Sequence, residues 1–294
     1  MVPTASKRKS QPKIEILKAA PLERIPWLVH GFSTRHGGSS RAYGKASLNL
    51  GFTPNDQRAA VTKNRGAFVA AVTRGSKRAW ELTNLRQVHS DLIHCVSQAS
   101  EHPLTGDGLI TNTPGLLLAV LTADCLPVIV VDPKHRAVGV FHAGWRGTVK
   151  RIVEKGIGEM RKHFGSDPAQ LRAAIGPGIR NCCYQVGPDV KDTFQAQFAY
   201  GAELFRETKE RHEIHERYPL LFLTARAPGH SELPKKIFLD LAEANRRQLL
   251  DAGVSARNIS DLGMCTSCKP ELFFSHRAEK GKTGRMMAAV GIRP

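Results

Sequence analysis

Apolar positions along this chain change period several times, and each change marks an element. Leu116 to Val131 is an almost unbroken apolar run, interrupted only by polar residues near Asp124, then Pro127, and ended by Asp132-Pro133. A run of this kind predicts buried β structure. Ala137 to Phe141 is a second short apolar strand, with His142 at its end. From Gly147 to about Phe164 the period lengthens, with Val149, Ile152, Val153, Ile157 and Met160 at helical spacing. Asp56 stands where an N-cap would, ahead of a helix through about Ala71 whose apolar positions include Ala60, Val61, Phe68 and Val72. Arg86 to Val96 alternates like a strand, which turns Val88 and Leu92 or Ile93 inward.

The remaining stretches complete the pattern. Residues 27–52 read as strand, glycine loop, strand; Thr105-Gly106-Asp107-Gly108 reads as a turn. Leu171 to Ile175 is a strand ended by Gly176-Pro177-Gly178. The highly charged residues 203–217 predict an exposed helix, and Lys236 to Ala252 an amphipathic helix ended by Gly253. Mixed strands and helices without a repeat or a dividing linker give the α/β (α+β) class. The expected organisation is one domain over residues 21–294 after a basic tail over residues 1–20. The first 13 or so residues of that tail are polar and Pro-containing, carry Lys7-Arg8-Lys9, and read as disordered.

Composition narrows the function classes. No apolar run approaches the roughly 20 residues that span a bilayer, so a membrane role is not expected. No secretory signal is visible, and six cysteines in such a chain argue for reduced thiols in the cytoplasm. The net charge of +17 favours anionic partners: phosphate, phosphorylated metabolites or nucleic acid. A solvated basic surface explains it equally well. Cys265-Thr266-Ser267-Cys268 has the spacing of half a zinc knuckle but needs a second pair. The adjacent Cys182-Cys183 does not supply one easily, so the reading is a buried or redox-capable pair.

The candidate chemistry lies elsewhere. His89, Cys125 and His142 form a borderline-soft ligand set that suits zinc, and three protein ligands leave a fourth position open, as in catalytic sites. Their spacings are far too long for a local finger. Spacing alone leaves two readings open, a tertiary metal site or a buried thiol with two hydrogen-bonded histidines. Asp124, beside Cys125, reads as a proton carrier, a support for the ligands, or a strand-end residue. Asp107 divides in the same way between a site role and turn formation. Arg35, followed by Gly37-Gly38, and Arg277 are candidates to grip phosphate in a fork, with a surface salt bridge as the alternative for each. Gly281-Lys282-Thr283 resembles the end of a P-loop, but His276 occupies the position of its required glycine. His212-Glu213-Ile214-His215 is not the zinc-protease motif, no GxSxG elbow occurs, and the twelve histidines include no His-x-His pair.

The runs around His89, Cys125 and His142 resemble the YfiH/YlmD family, long labelled polyphenol oxidoreductase laccase. So do Ser47-Leu48-Asn49-Leu50-Gly51, Ile175 to Ile179 with Cys183 to Gly187, and Phe273 to Arg277 with Thr283-Gly284-Arg285-Met286. The resemblance covers the chain from about residue 25 to its end, with the motifs in the same order. It implies a single YfiH-like domain with β-sandwich-like sheets flanked by helices. It also implies a zinc-dependent purine nucleoside phosphorylase acting on adenosine, inosine, guanosine and methylthioadenosine, with adenosine deaminase activity. The zinc ligands carry over to His89, Cys125 and His142; Asp124 joins them as a catalytic residue, and Arg35, Asn49, Asp107 and Arg277 as substrate or phosphate contacts. The partners are nucleosides and phosphate, with no specific nucleic acid. The basic tail and residues 203–217 match no family pattern. Three alternatives compete: copper-dependent phenol oxidation, against which the lack of His-x-His pairs argues; a metal-free cysteine hydrolase with Cys125 as nucleophile and His142 as base; and a basic nucleic-acid binder, for which no reading module is visible.

Overall fold

In the C-terminal strand Met286–Ile292, Ala288, Val290 and Ile292 enter one core while Met287 and Ala289 enter another. Successive strand residues point to opposite faces, so a strand buried along its whole length must separate two apolar layers. This alternation organises the computed structural model, which describes residues 13–209 and 235–294 apart from Gly75, Lys77 and Glu101.

Fifteen strands are present among those residues: β1 (Ile16–Leu17), β2 (Leu28–Ser33), β3 (His36–Ser40), β4 (Glu81–Asn84), β5 (Ile93–Cys95), β6 (Gly108–Thr111), β7 (Leu116–Thr122), β8 (Leu126–Asp132), β9 (Ala137–Ala143), β10 (Arg172–Ile175), β11 (Gln185–Val186), β12 (Phe205–Lys209), β13 (Lys235–Leu239), β14 (Ile259–Asp261) and β15 (Met286–Ile292). The helices are α1 (Ala20–Glu23), α2 (Arg58–Val72), α3 (Trp145–Val149), α4 (Ile152–Phe164), α5 (Pro188–Gln197) and α6 (Leu241–Asp251). One mixed sheet runs β1-β2-β15-β7-β4 and a second runs β14-β10-β8-β9-β6-β5; β11-β13-β12 form a small third sheet.

The two large sheets pack face to face. Leu118 and Val120 of β7 and Val290 of β15 meet Ile129 and Val131 of β8 and Val140 of β9. The outer face of the first sheet, with Leu117, Ala119 and Ala289, is covered by Phe68 and Val72 of α2. The outer face of the second, with Val128, Val130 and Phe141, is covered by α4, α5 and α6. The result is a four-layer α-β-β-α sandwich, the mixed architecture expected from the sequence. Both faces of β7 and β8 are buried, which is why they read as continuous apolar runs instead of alternating ones. Gly156 lets α4 close onto Phe141: a Cβ there would stand 2.4 Å from a ring carbon. Removing the Phe141 ring would cost about 3–5 kcal/mol by the usual cavity rule. No helix of the described residues is long and apolar enough to cross a membrane.

Several local expectations are corrected. The tail does not extend to residue 20: β1 pairs with β2 through Ile16 and Leu17, and Ala19 is buried. Residues 1–12 lie outside the described residues. Asp56 does not cap α2, whose N-cap is Gln57 with no side-chain bond; the Asp56 carboxylate accepts from Ser40 and Asn49 instead. The strand expected over Arg86 to Val96 is regular only at Ile93–Cys95, and Val88 and Leu92 are exposed instead of inward. The helix expected after His142 is two, split where Arg151 takes a left-handed φ of 63°. Of the helix expected over 203–217, Phe205–Lys209 is a strand paired with β13, and residues 210–217 lie outside the described residues. The helix expected from Lys236 begins at Leu241, where Asp240 caps it by accepting from the Glu243 N–H.

Candidate active site

β8 and β9 are antiparallel with Leu126 opposite Ala143 and Pro127 opposite His142. That register sets Cys125, just ahead of β8, beside His142 near the end of β9. His89 arrives from the irregular segment between β4 and β5. Gln87 holds this segment to the first sheet, its amide donating to the Leu121 carbonyl (2.8 Å) and accepting from the Leu121 N–H (2.7 Å). The ligand atoms of His89, Cys125 and His142 all lie within 4.8 Å of one another. Cys125 Sγ is 3.8 Å from His89 Nε2, and the two imidazole rings are 4.9 Å apart, nearly edge to face. Gly144 keeps the space clear: a Cβ there would stand 3.0 Å from both Cys125 Sγ and a His89 ring carbon.

Asp107 stands behind the three. It is fully buried, and its carboxylate accepts from the backbone N–H groups of Val88 (3.2 Å), His89 (3.1 Å) and Ser90 (2.6 Å) and from the Ser90 hydroxyl (2.7 Å). Its fifth donor is His142 Nδ1, at 2.8 Å. This last bond keeps a proton on Nδ1, facing Asp107, and leaves Nε2 as the ring atom that a metal would take once its own proton is displaced. The backbone donors bend the chain so tightly that His89 takes a left-handed φ of 57°. Burial alone would raise the Asp107 pKa, but the hydrogen bonds from His142 and Ser90 outweigh it and hold the carboxylate well below its usual range.

The same balance operates at the thiol. Burial opposes the Cys125 thiolate, yet the charge and hydrogen bonding of His142, with His89 beside it, bring its pKa down to about 6. Burial likewise opposes the His142 cation, and Cys125 and Asp107 raise it to about 9. The cluster is therefore built to hold a thiolate against positive charge. A metal cation would take the place of that imidazolium proton, the usual exchange on metal binding. Two imidazoles, one thiolate and a carboxylate behind one imidazole fit a borderline metal such as zinc.

The cluster forms one side of a cavity of about 700 Å³, within the range of small-molecule sites. Phe52, Trp145 and Tyr184 supply aromatic surface there, and Arg146, Arg277 and Arg285 supply positive charge. The Arg146 guanidinium lies 4.5 Å from the Trp145 ring, and that of Arg277 lies 5.5 Å from the Tyr184 ring. Among the described residues none of these three guanidinium groups pairs with a carboxylate, although Arg285 Nη1 is held by the Thr283 (3.1 Å) and Gly284 (3.0 Å) carbonyls.

The remaining expected contacts divide. Arg277 lines the cavity. Asp124 also lines it, but its carboxylate is occupied: it accepts from the Thr266 hydroxyl (2.6 Å) and the Arg277 N–H (2.7 Å), in a residue with a φ of 88°. These bonds anchor the Arg277 backbone and the Thr266 hydroxyl beside Cys125. Arg35 is not free to grip phosphate: its guanidinium donates to the carbonyls of Pro270, Phe273 and Tyr43, pairs with Glu279 and covers the Phe274 ring. Asn49 is fully buried and holds the Gly51 and Arg285 backbones. Asp107 cannot meet substrate for the reason already given. Sequence reasoning missed Arg146, Arg285 and Tyr184 as cavity residues, although Arg285 and Tyr184 sit inside the family motif runs and Arg146 follows His142 by four residues.

Fold and site together define a class: an α-β-β-α sandwich with a two-imidazole, one-thiolate ligand set facing a cationic and aromatic cavity. A family model described as multi-copper polyphenol oxidoreductase laccase matches residues 29–293, and the chain belongs to that family, the one that includes the YfiH and YlmD proteins. It is 34% identical to the purine nucleoside phosphorylase YlmD of Bacillus subtilis over 275 residues, covering 90% of this chain and 89% of that one. It is 37% identical to a purine nucleoside phosphorylase of Deinococcus radiodurans over 275 residues, covering 92% and 93%. The crystal structure of YfiH from Bacillus licheniformis superposes with a TM-score of 0.78 at 32% identity, over 97% of this chain and 98% of that one. YlmD from Geobacillus stearothermophilus does so with a TM-score of 0.72 at 34% identity, over 92% and 93%.

Proposed function

We propose that this protein is a zinc-dependent purine nucleoside phosphorylase that also deaminates adenosine. Adenosine, inosine, guanosine or S-methyl-5'-thioadenosine reacts with phosphate to give the free base and the corresponding ribose 1-phosphate. Adenosine and water give inosine and ammonia. The observation that carries the reading is the meeting of an open His89–Cys125–His142 ligand set with three arginines that carry no carboxylate partner among the described residues, all in one cavity. The relatives named as purine nucleoside phosphorylases support the same reading.

Bound at the triad, zinc would supply Lewis acidity and an activated water for deamination. The chain's own residues do the rest. Arg277, Arg146 and Arg285 gather the phosphate and oppose the charge that develops as the glycosidic bond breaks. Phe52, Trp145 and Tyr184 offer flat apolar surface to a purine. Asp107 stays ionised and holds His142 with Nε2 turned toward the cavity. Asp124 fixes the Arg277 backbone, so the cationic wall keeps its distance from the thiolate. The reading includes a cytoplasmic location, where thiols stay reduced.

Zinc is favoured over multicopper oxidation because the triad is the only imidazole-bearing ligand group among the described residues, whereas multicopper oxidation needs several.

Chromatography of products from adenosine, with and without phosphate, tests the reading. Adenine that forms only with phosphate, and inosine in either case, are the expected results. Stoichiometric copper with dioxygen uptake on phenols would overturn it. So would activity that survives complete metal removal but is lost on thiol alkylation, the behaviour of a cysteine hydrolase.

A further inference from the structure

A second thiol cluster lies outside the cavity and has no part in the chemistry above. Cys182, Cys183, Cys265 and Cys268 bring their four sulfurs within 4.8 Å of one another. Cys268 Sγ is 3.4 Å from Cys182 Sγ and 3.3 Å from Cys183 Sγ. Zinc–sulfur bonds of about 2.3 Å place tetrahedral ligands roughly 3.8 Å apart; the two Cys268 contacts are a few tenths of an ångström shorter, and every separation stays within 4.8 Å.

Backbone pairing assembles the cluster. Gly178 donates to the Met264 carbonyl (3.2 Å), and Thr266 donates to the Gly178 carbonyl (3.1 Å). The loop after β10 therefore runs alongside the segment after β14. Cys183 and Tyr184 both donate to the Arg180 carbonyl, at 2.9 and 2.8 Å, closing a tight turn. In a strand, adjacent side chains diverge to opposite faces; in this turn the two adjacent cysteines converge on the Cys265-x-x-Cys268 pair.

We propose that Cys182, Cys183, Cys265 and Cys268 form a closed tetrathiolate zinc site with a structural role, separate from the His89–Cys125–His142 centre. Four protein sulfurs leave no open position for water, the mark of a structural site. A redox pair would use two of the four sulfurs and would not account for the convergence of the others. The site ties together the two segments that form one wall of the cavity. The first carries Ile179 and Tyr184; the second carries Thr266, which holds Asp124, and leads to Arg277. Zinc bound here stiffens the wall without touching substrate.

Metal analysis of protein purified reduced and without added metal tests this. The full chain should hold two zinc ions. Cys268→Ser and Cys182→Ser should each hold one, and Cys268→His, which restores a ligand, should hold two. Cys125→Ala should lose only the other ion, so failure of the active-site reading and failure of this one are distinguishable. The unaltered protein gives a second readout through timed alkylation followed by mass spectrometry. Exposed Cys95 should react at once, and Cys182, Cys183, Cys265 and Cys268 only after a strong chelator. Equal zinc in the full chain and Cys268→Ser, immediate alkylation of all four, disulfides among them in freshly purified protein, or iron with inorganic sulfide would each overturn the proposal.

Discussion

The two ligand clusters, His89–Cys125–His142 and the four cysteines, are both drawn together by tertiary structure, and they differ in what stands behind their ligands. Behind His89, Cys125 and His142 lies a buried carboxylate with five donors, and in front lies a cavity lined by arginines and aromatic rings. Around Cys182, Cys183, Cys265 and Cys268 lie the turns of two neighbouring loops, and Cys182 and Cys268 are exposed to solvent. The first arrangement orients an imidazole, sustains charge in a low dielectric and leaves room for a reactant. The second closes on itself. The lesson is that a ligand set alone does not separate a catalytic from a structural centre; the supporting shell and the open face do.

Substitutions can break the contrast at graded cost. The largest effect falls on the triad. Cys125→Ala or His142→Ala should lower phosphorolysis more than about 10³-fold, since a metal centre contributes several kcal/mol to the transition state. Far-UV circular dichroism should be unchanged; full turnover by Cys125→Ala would remove the centre from the reaction. Next comes the carboxylate behind it. Asp107→Asn keeps the shape but loses the charge, and should weaken metal affinity by roughly 10–100-fold, read by competition with a chromophoric chelator. The same measurement on the four-cysteine site should show no change.

Arg277→Ala should raise KM for phosphate about 10-fold, on the scale of one charged hydrogen bond. KM for the nucleoside should move less. Steady-state kinetics with each substrate varied separately would show it, and equal rises in both constants would instead point to a collapsed wall.

The last effect is on stability instead of turnover, and concerns a histidine that neither cluster uses. His30 is buried, and its Nε2 accepts from the Ala19 N–H at 3.1 Å. Burial, with Lys18 nearby, lowers its pKa from 6.5 to about 4. The unfolded chain therefore takes up this proton first. The associated stability is complete above about pH 6.5 and is lost as pH falls toward 4, up to about 3 kcal/mol. Urea unfolding between pH 7.5 and 4.5 should reveal that slope, and His30→Gln should flatten it relative to the unaltered protein. An unflattened slope would assign the acid sensitivity to other groups. Against this, the triad histidine His142, with a carboxylate and a thiolate beside it, is shifted the opposite way.

Much of the fold was legible in advance because its strands are buried on both faces. Leu116–Thr122 and Leu126–Asp132 announce themselves as apolar runs, and the helical period of α4 survives in Ile152, Val153, Ile157 and Met160. The misreadings fall where side chains override local pattern. Residues 86–92 alternate like a strand, but Asp107 draws in three consecutive N–H groups and turns them into a loop. Asp56 has the chemistry of a cap but is occupied by Ser40 and Asn49. The triad was recognisable from its motif runs, while Arg35 has the same chemical character as Arg277 and differs only in what already holds it.

The amino-acid sequence by itself determined the class of fold, the strands and helices with strong periods, and the identity of the three candidate ligands. Those properties are local: they depend on burial period and on the chemistry of single residues. The tertiary structure alone decided which polar groups were already satisfied. It turned Asp107 from a turn residue into the support of His142, withdrew Arg35 into backbone contacts, and brought Cys182 and Cys183 to Cys265 and Cys268. The physical reason is that hydrogen-bonding and ligating capacity is finite and short-ranged. Whether a side chain remains available for chemistry depends on neighbours that can lie more than a hundred residues away along the chain.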